Sequence, residues 1–263
     1  MWFFEPKINA RSGVLPYFSG FTTEYKAILA EATAQGYTLP SAGQQAKQNT
    51  LLNSLISSGV WAKLDLILVF ANDGSKEFAC INWKNPTGNK AILESSPIFT
   101  ANQGFTGTQG TSNSWININY NPNGTLNYKL NDASRYVYLR TPQVNRFIDG
   151  IESSVTVNSF STFLNAVQRI NQGGILTNGI IDYSGVGMMS IHRTSSTSIT
   201  GINNTTQTPA LSTSQSLPGA NQLLFRAGTL FSSHQASFYA MGASLVSENN
   251  ALVSEFSTYI NSL

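Results

Sequence analysis

Residues 51–71, LLNSLISSGVWAKLDLILVFA, contain the change of repeat from which the fold can be read. Leu51, Leu52, Leu55 and Ile56 recur at helical spacing, and Ser57-Ser58-Gly59 ends that run. After Trp61 the period drops to two. Leu64 and Leu66 flank Asp65, and the segment then stays apolar as far as Ala71. A helix therefore leads almost directly into a strand. Upstream, residues 22–36 (TTEYKAILAEATAQG) make a second helical run, with Thr22 or Thr23 as its cap and Gly36 as its stop. Ser41 and Gln44 stand at capping-box spacing before the Leu51 run. Two helices joined by Tyr37–Pro40 read as an αα-hairpin, packed through Ile28, Leu29, Leu51, Leu52, Leu55 and Ile56.

Downstream of Trp61 the texture is that of short strands between turns. FACINWK (78–84) reads as a strand after an Asn72-Asp73-Gly74 turn. Residues 114–130 (SWININYNPNGTLNYKL) read as a hairpin about Asn123-Gly124. Ile116, Ile118 and Tyr120 face one way in it, and Trp115, Asn117 and Asn119 the other. Further strand-like pieces are RYVYLRT (135–141), NRFIDGIESSVTV (145–157), FSTFLNAVQRI (160–170), GIIDY (179–183), GMMSIHRT (187–194), NQLLFRAG (221–228) and ASFYAMGAS (236–244). The Ser/Thr-rich stretch 194–218 carries Ile199, Ile202 and an Asn203-Asn204 turn, and reads as two thin, solvent-facing strands. A last helix, capped by Ser247, gathers Leu252, Phe256, Tyr259, Ile260 and Leu263 on one face. About a dozen short strands with Gly, Asn and Ser turns suit an antiparallel β-sandwich. The expected organisation is an extended arm over 1–22, a helical hairpin over 23–60 and a sandwich over 61–263.

Composition narrows the function. Of 263 residues 41% are hydrophobic and only 11% charged, the deficit being filled by 95 Ser, Thr, Asn and Gln residues. Fifteen basic against thirteen acidic residues leave a net charge of +2, which does not suit a nucleic-acid binder. One cysteine, Cys80, rules out an internal disulfide framework and any cysteine-based zinc cluster. No run of about 18 apolar residues is present to span a membrane as a helix. The N-terminus MWFFEPKINARSG has neither the basic start nor the unbroken apolar run of a signal peptide.

Several of these stretches resemble a group of tailed-phage virion proteins. The resemblance lies in the Gly59-x-Trp61-x-Lys63 junction between helix and first strand, in Asn82-Trp83-Lys84-Asn85-Pro86 and in SPIFTANQGFTG (96–107). It extends to HRTSSTSITGINN (192–204) and the closing FYAMGASLVSENNALVSEFSTYI (238–260), so it covers roughly residues 23–263. It implies a mostly β fold: a concanavalin-like (laminin G-like) jelly roll, with the αα-hairpin before it and the C-terminal helix after it. It also implies an exterior virion part, such as a tail fibre, appendage or head decoration, in contact with host-surface glycans. No catalytic residue comes with it. A purely structural virion part is the alternative, and a glycoside hydrolase on the same sandwich a further one. The arm at residues 1–20 lies outside the resemblance. Its Trp2, Phe3 and Phe4 need cover, from the protein's own sandwich or from another chain, and docking onto another virion protein or another copy in a homo-oligomer is the expectation taken.

The chemistry points the same way. Glycoside hydrolysis needs two carboxyl groups across the scissile bond. The closest acidic neighbours, Asp149 and Glu152, straddle an expected turn at Asp149-Gly150. His192 sits in an apolar strand and His234 in a loop, and Cys80 reads as a buried thiol. Asn72, Asp73 and Glu77 share one loop without the dense oxygen cluster that calcium requires, so no metal or cofactor is expected. Sugar contact needs aromatic faces and neutral hydrogen-bonding groups. Trp115, Asn117 and Asn119, with Tyr128, Tyr136 and Tyr138 on the following strands, are the candidate ligand-binding set.

Overall fold

The computed structural model describes residues 20–122, 127–141, 143, 146–151, 159–161, 168–171 and 185–263. Trp2, Phe3 and Phe4, the Asn123-Gly124 turn, Glu152 and residues 179–183 lie outside the described residues. Five helices are described: α1 (Thr23–Ala34), α2 (Ala42–Ser57), α3 (Val60–Lys63), α4 (Lys76–Ala79) and α5 (Asn249–Asn261). The larger sheet holds β1 (Leu64–Val69), β3 (Ile98–Thr100), β4 (Gly104–Thr106), β6 (Ala133–Thr141), β10 (Gly187–Arg193), β11 (Ser198–Asn203), β12 (Thr206–Leu211) and β16 (Gln235–Gly242). The smaller holds β2 (Ile92–Glu94), β5 (Trp115–Asn117), β7 (Phe147–Ile151), β8 (Ser159–Ser161), β9 (Gln168–Arg169) and β13 (Gln222–Leu224). A two-stranded ribbon, β14 (Arg226–Ala227) and β15 (Leu230–Phe231), completes the set.

The fold is mostly β, an antiparallel sandwich preceded by an αα-hairpin and closed by a C-terminal helix. The larger sheet runs β12-β11-β10-β6-β16, and the far edge of β16 is shared by β1 and β4. Both faces of this sheet are covered. Leu66, Leu68, Phe70, Val137, Met189 and Tyr239 pack between the sheets. Leu64, Ile67, Val69, Tyr136 and Phe238 pack on the other side against α1, α2 and α5. That second layer is why 66–71 is apolar throughout, as in sheets buried on both faces.

The hairpin forms for the expected local reasons. Thr22 Oγ1 accepts from Tyr25 N at 3.2 Å and Ser41 Oγ from Gln44 N at 3.3 Å, each satisfying an open helix N–H. Gly59, at φ 79°, is left-handed just beyond α2. The capping box at Ser41 is only half made. Gln44 donates instead to Tyr259 Oη and Asn102 Oδ1 and accepts from Asp73 N, while Ser41 N donates to Asp73 Oδ1. Asp73 thus ties the start of α2 to the loop after β1, while the Asn72 side chain bonds Phe70 O and Gly74 N within that loop.

Four local expectations are corrected. Residues 78–84 are not a strand: Ser75 caps α4 through Phe78 N, and Asn82 Oδ1 takes the N–H groups of Ile67 and Lys84. Residues 114–130 are not a local hairpin. β5 pairs with β2 and β13, and Asp65 draws off the N–H groups of Asn127 and Tyr128. Asp149-Gly150 is no turn but the middle of β7. The β14–β15 ribbon lies over that strand, and a Cβ on Gly150 would stand 2.4 Å from Ala227 Cβ. Glu248, not Ser247, occupies the N-cap of α5, and Ser247 Oγ donates to its carboxylate. The 194–218 stretch does form two strands, but Ile199 and Ile202 of β11 are buried and only β12 faces solvent.

Candidate functional site

Strand β5 and the two residues after it hold Trp115, Asn117 and Asn119, all half-buried, while Ile116 and Ile118 are buried in the core. The two ends of the series have different surroundings. At the β5 N-terminus the Trp115 ring lies 5.4 Å from Phe231, with the Arg226 guanidinium 4.5 Å from its centroid. Arg226 Nε also donates to Gly228 O at 2.9 Å. The indole is therefore a clamp that holds the β14–β15 ribbon on the smaller sheet. Beside the ribbon, Gln109, Asn113, Arg146, Leu230 and Phe231 line an open cleft of about 380 Å³.

At the other end the chain bends. Asn117 Oδ1 accepts from Asn119 N at 2.8 Å, and Asn119 takes φ 53°, a left-handed position that Asn tolerates. The bend opens a cleft of about 400 Å³, in the size range of small-ligand sites. Its walls include Asn82, Asn85, Asn119, Tyr120, Asn221 and Asp65. They come from β1, from the turns after α4, from the end of β5 and from the start of β13.

The side chains of this cleft are held in place from behind. Asp65 accepts from Tyr120 Oη at 2.9 Å, Tyr128 N at 2.8 Å and Asn127 N at 3.1 Å. Asn82 Oδ1 accepts from Ile67 N at 3.1 Å and Lys84 N at 3.0 Å. Asn119 Nδ2 donates to Lys90 O at 3.2 Å, and its Oδ1 lies 3.4 Å from Asn221 Nδ2. Asn85 folds over Gly88, where a Cβ would stand 2.2 Å from the amide nitrogen, so a side chain there would have to displace the Asn85 amide. Chemically the cleft offers neutral amide donors and acceptors beside a tyrosine ring, with one carboxylate already occupied by protein donors.

Of the candidate set, Asn119 lines this cleft just beyond β5, while Trp115 and Asn117 lie on that strand outside it. Tyr128 and Tyr136 are corrected. Tyr128 is buried between the sheets with its hydroxyl 3.0 Å from Asn171 Oδ1, and Tyr136 is buried under α5 with its hydroxyl 3.3 Å from Asn249 Oδ1. Tyr138 leans on Phe256, ring centroids 5.2 Å apart. Asp65, Asn82, Tyr120 and Asn221 were missed. The signal within reach was the density of Asn among turn residues in NWKNPTGNK (82–90).

The other titratable candidates are built into the core. His192 Nδ1 accepts from Leu245 N at 3.2 Å and Nε2 lies 2.9 Å from Ser190 Oγ, while burial pulls its pKa down to about 3. His234 Nδ1 accepts from Gln143 N at 2.9 Å, and burial pulls its pKa down to about 4. Burial pushes the Cys80 thiol up to about 12. Asp149 pairs with Arg135 Nη1 at 2.8 Å and Tyr239 Oη at 2.6 Å, deep between the sheets. Among the described residues no three His, Cys, Asp or Glu side chains are grouped to hold a metal ion.

No family model and no curated protein matches this chain. Solved structures similar to it include domain 4 of AbnA, a GH43 extracellular arabinanase from Geobacillus stearothermophilus, in complex with arabinotriose. That match has 10% identity and TM-score 0.39, over 73% of this chain and 98% of that one. The binding domain of botulinum neurotoxin DC in complex with SialylT matches at 11% identity and TM-score 0.44, over 74% of this chain and 52% of that one. Trypanosoma rangeli sialidase matches at 8% identity and TM-score 0.44, over 82% of this chain and 40% of that one. The chain thus spans about half of the toxin domain and two-fifths of the sialidase. At such values no site passes from one protein to another.

Proposed function

We propose that this chain is a non-catalytic saccharide-binding sandwich carried on the outside of a tailed-phage virion, as a fibre, appendage or head decoration. The observation that carries the binding reading is the asparagine-lined cleft at the end of β5. Its amides are oriented by backbone groups before any ligand arrives, which lowers the ordering cost of binding. Hydroxyl groups of a sugar match such amides, and the Tyr120 ring beside them offers an apolar face. Among the described residues Asp65 is the one carboxylate in the cleft wall, and its oxygens serve Tyr120, Asn127 and Tyr128. Hydrolysis would need a second carboxyl group placed across the bond. The virion setting is supported by the resemblance of the Gly59-x-Trp61-x-Lys63 junction and the landmarks after it.

The reading is tested with the full chain on a glycan array, alongside an Asn119→Ala/Asn221→Ala variant. Selective binding that the variant loses supports it. A chain that binds no glycan but is incorporated into particles is a structural virion part instead. Incorporation also tests the arm: removal of residues 1–20 is expected to leave the circular dichroism spectrum intact and to abolish assembly. Normal assembly of the truncated chain would sink that role.

A further inference from the structure

The cleft has a fixed hydrogen-bonding polarity, and this deepens the saccharide reading on which it rests. An Asn amide can usually be turned over, exchanging donor and acceptor. Here the backbone forbids the exchange at two positions. Asn82 must present oxygen to the N–H groups of Ile67 and Lys84, so its Nδ2, which has no partner among the described residues, is the group left for the cleft. Asn119 must present nitrogen to Lys90 O. Its oxygen is left facing the cleft, met only by a long 3.4 Å contact from Asn221. One wall is thus an obligate donor and another an obligate acceptor.

A hydroxyl group adapts to either kind of wall and gains nothing from fixed polarity. A secondary amide does gain, because its N–H can only donate and its carbonyl can only accept. We infer that the Asn82–Asn119 cleft recognises the acetamido group of a neutral N-acetylated sugar, N–H to Asn119 Oδ1 and carbonyl oxygen to Asn82 Nδ2. Neighbouring Asn85 and Asn221 remain for the ring hydroxyls. The Asp65 carboxylate in the wall disfavours an anionic sugar.

The test uses Asn82→Asp. The carboxylate keeps both backbone acceptor contacts, so the fold is expected to hold, while the atom facing the cleft changes from donor to acceptor. Titrations of the full chain with N-acetylglucosamine and N-acetylgalactosamine, against glucose and galactose, are followed by calorimetry and by the Asn side-chain NMR signals. The expected result is about tenfold tighter binding of the acetamido sugars, lost in the variant, with hexose binding little changed. Equal affinity for hexoses, or a variant that binds the acetamido sugars as well as the wild type, overturns the inference and leaves the saccharide reading standing. An N-acetylated dipeptide that binds as tightly as the sugars would assign the cleft to peptide amides and overturn it as well. If no sugar shifts the Asn82 and Asn119 signals, the saccharide reading itself falls.

Discussion

Two buried histidines should make this protein sensitive to mild acid, and the size of the effect follows from their surroundings. In both rings Nδ1 already accepts a backbone N–H, from Leu245 in His192 and from Gln143 in His234. Protonation would put a second hydrogen where the first one points, inside a core with neither ring exposed. Burial lowers the pKa values to about 3 and about 4, the carboxylate of Glu248 offsetting part of the effect at His192. In the unfolded chain both histidines titrate near 6.5. Between these values the unfolded state binds more protons, so stability is full above about 6.5 and falls as pH drops towards the folded values. From pH 7.5 to 5 each histidine then removes about 2 kcal/mol, or about 4 kcal/mol together. With a urea slope of about 2–3 kcal/mol/M this lowers the midpoint by roughly 1.3–2 M. The carboxylates held below their usual range, Glu31 by Lys90 and Glu248 by Lys63 and Ser247, act in the same direction but only at lower pH. Urea titrations at pH 7.5, 6 and 5 measure the slope, and His192→Gln and His234→Gln should each remove about half of it. A change below about 1 kcal/mol across that range would refute the argument.

Other outcomes follow from packing. Leu55→Ala removes a fully buried side chain shared by α2 and the helix-facing side of the larger sheet, and should cost about 2–5 kcal/mol in chemical denaturation. A cost below about 0.5 kcal/mol would mean that the helices do not depend on that layer. Asp149→Ala removes the carboxylate that balances the buried Arg135 charge and should cost about 3–5 kcal/mol, whereas Arg135→Met with Asp149→Leu should recover most of the loss. Cys80 should resist thiol reagents in the folded protein and react on unfolding; fast labelling of the native chain would contradict its burial.

Alternation along a strand was legible in the sequence, but pairing was not. The inward Ile116 and Ile118 are where the period of two puts them, yet the dipeptide Asn123-Gly124 a few residues on suggested a partner close by in the chain. The actual partners are β2, about twenty residues earlier, and β13, about a hundred residues later, where Ile118 N donates to Gln222 O. A turn signal ranks local pairings only. It carries no information on a strand that arrives from a distant part of the chain. Asp149-Gly150 failed for a related reason. Glycine is needed there because Ala227 approaches the strand, and a close approach selects glycine as strongly as a turn does.

The site was legible only in part because strand parity tells which face a side chain takes, not whether that face is wet. Tyr136 does alternate with the inward Arg135 and Val137, but the outer face of its sheet is roofed by α5 and the helical hairpin. On a sheet covered on both sides, parity only selects between two cores. On the smaller sheet Trp115 of β5 lies against the β14–β15 ribbon, and Asn119, beyond the strand end at a left-handed bend, lines the cleft together with Tyr120, which parity put on the opposite face. The remaining cleft residues lie on separate segments, 65, 82–89, 119–121 and 221, in a chain with 26 asparagines. Composition could not single them out. What distinguishes Asn82 and Asn119 is that backbone groups of other segments have fixed the orientation of their amides, and such a contact appears only once the chain is folded.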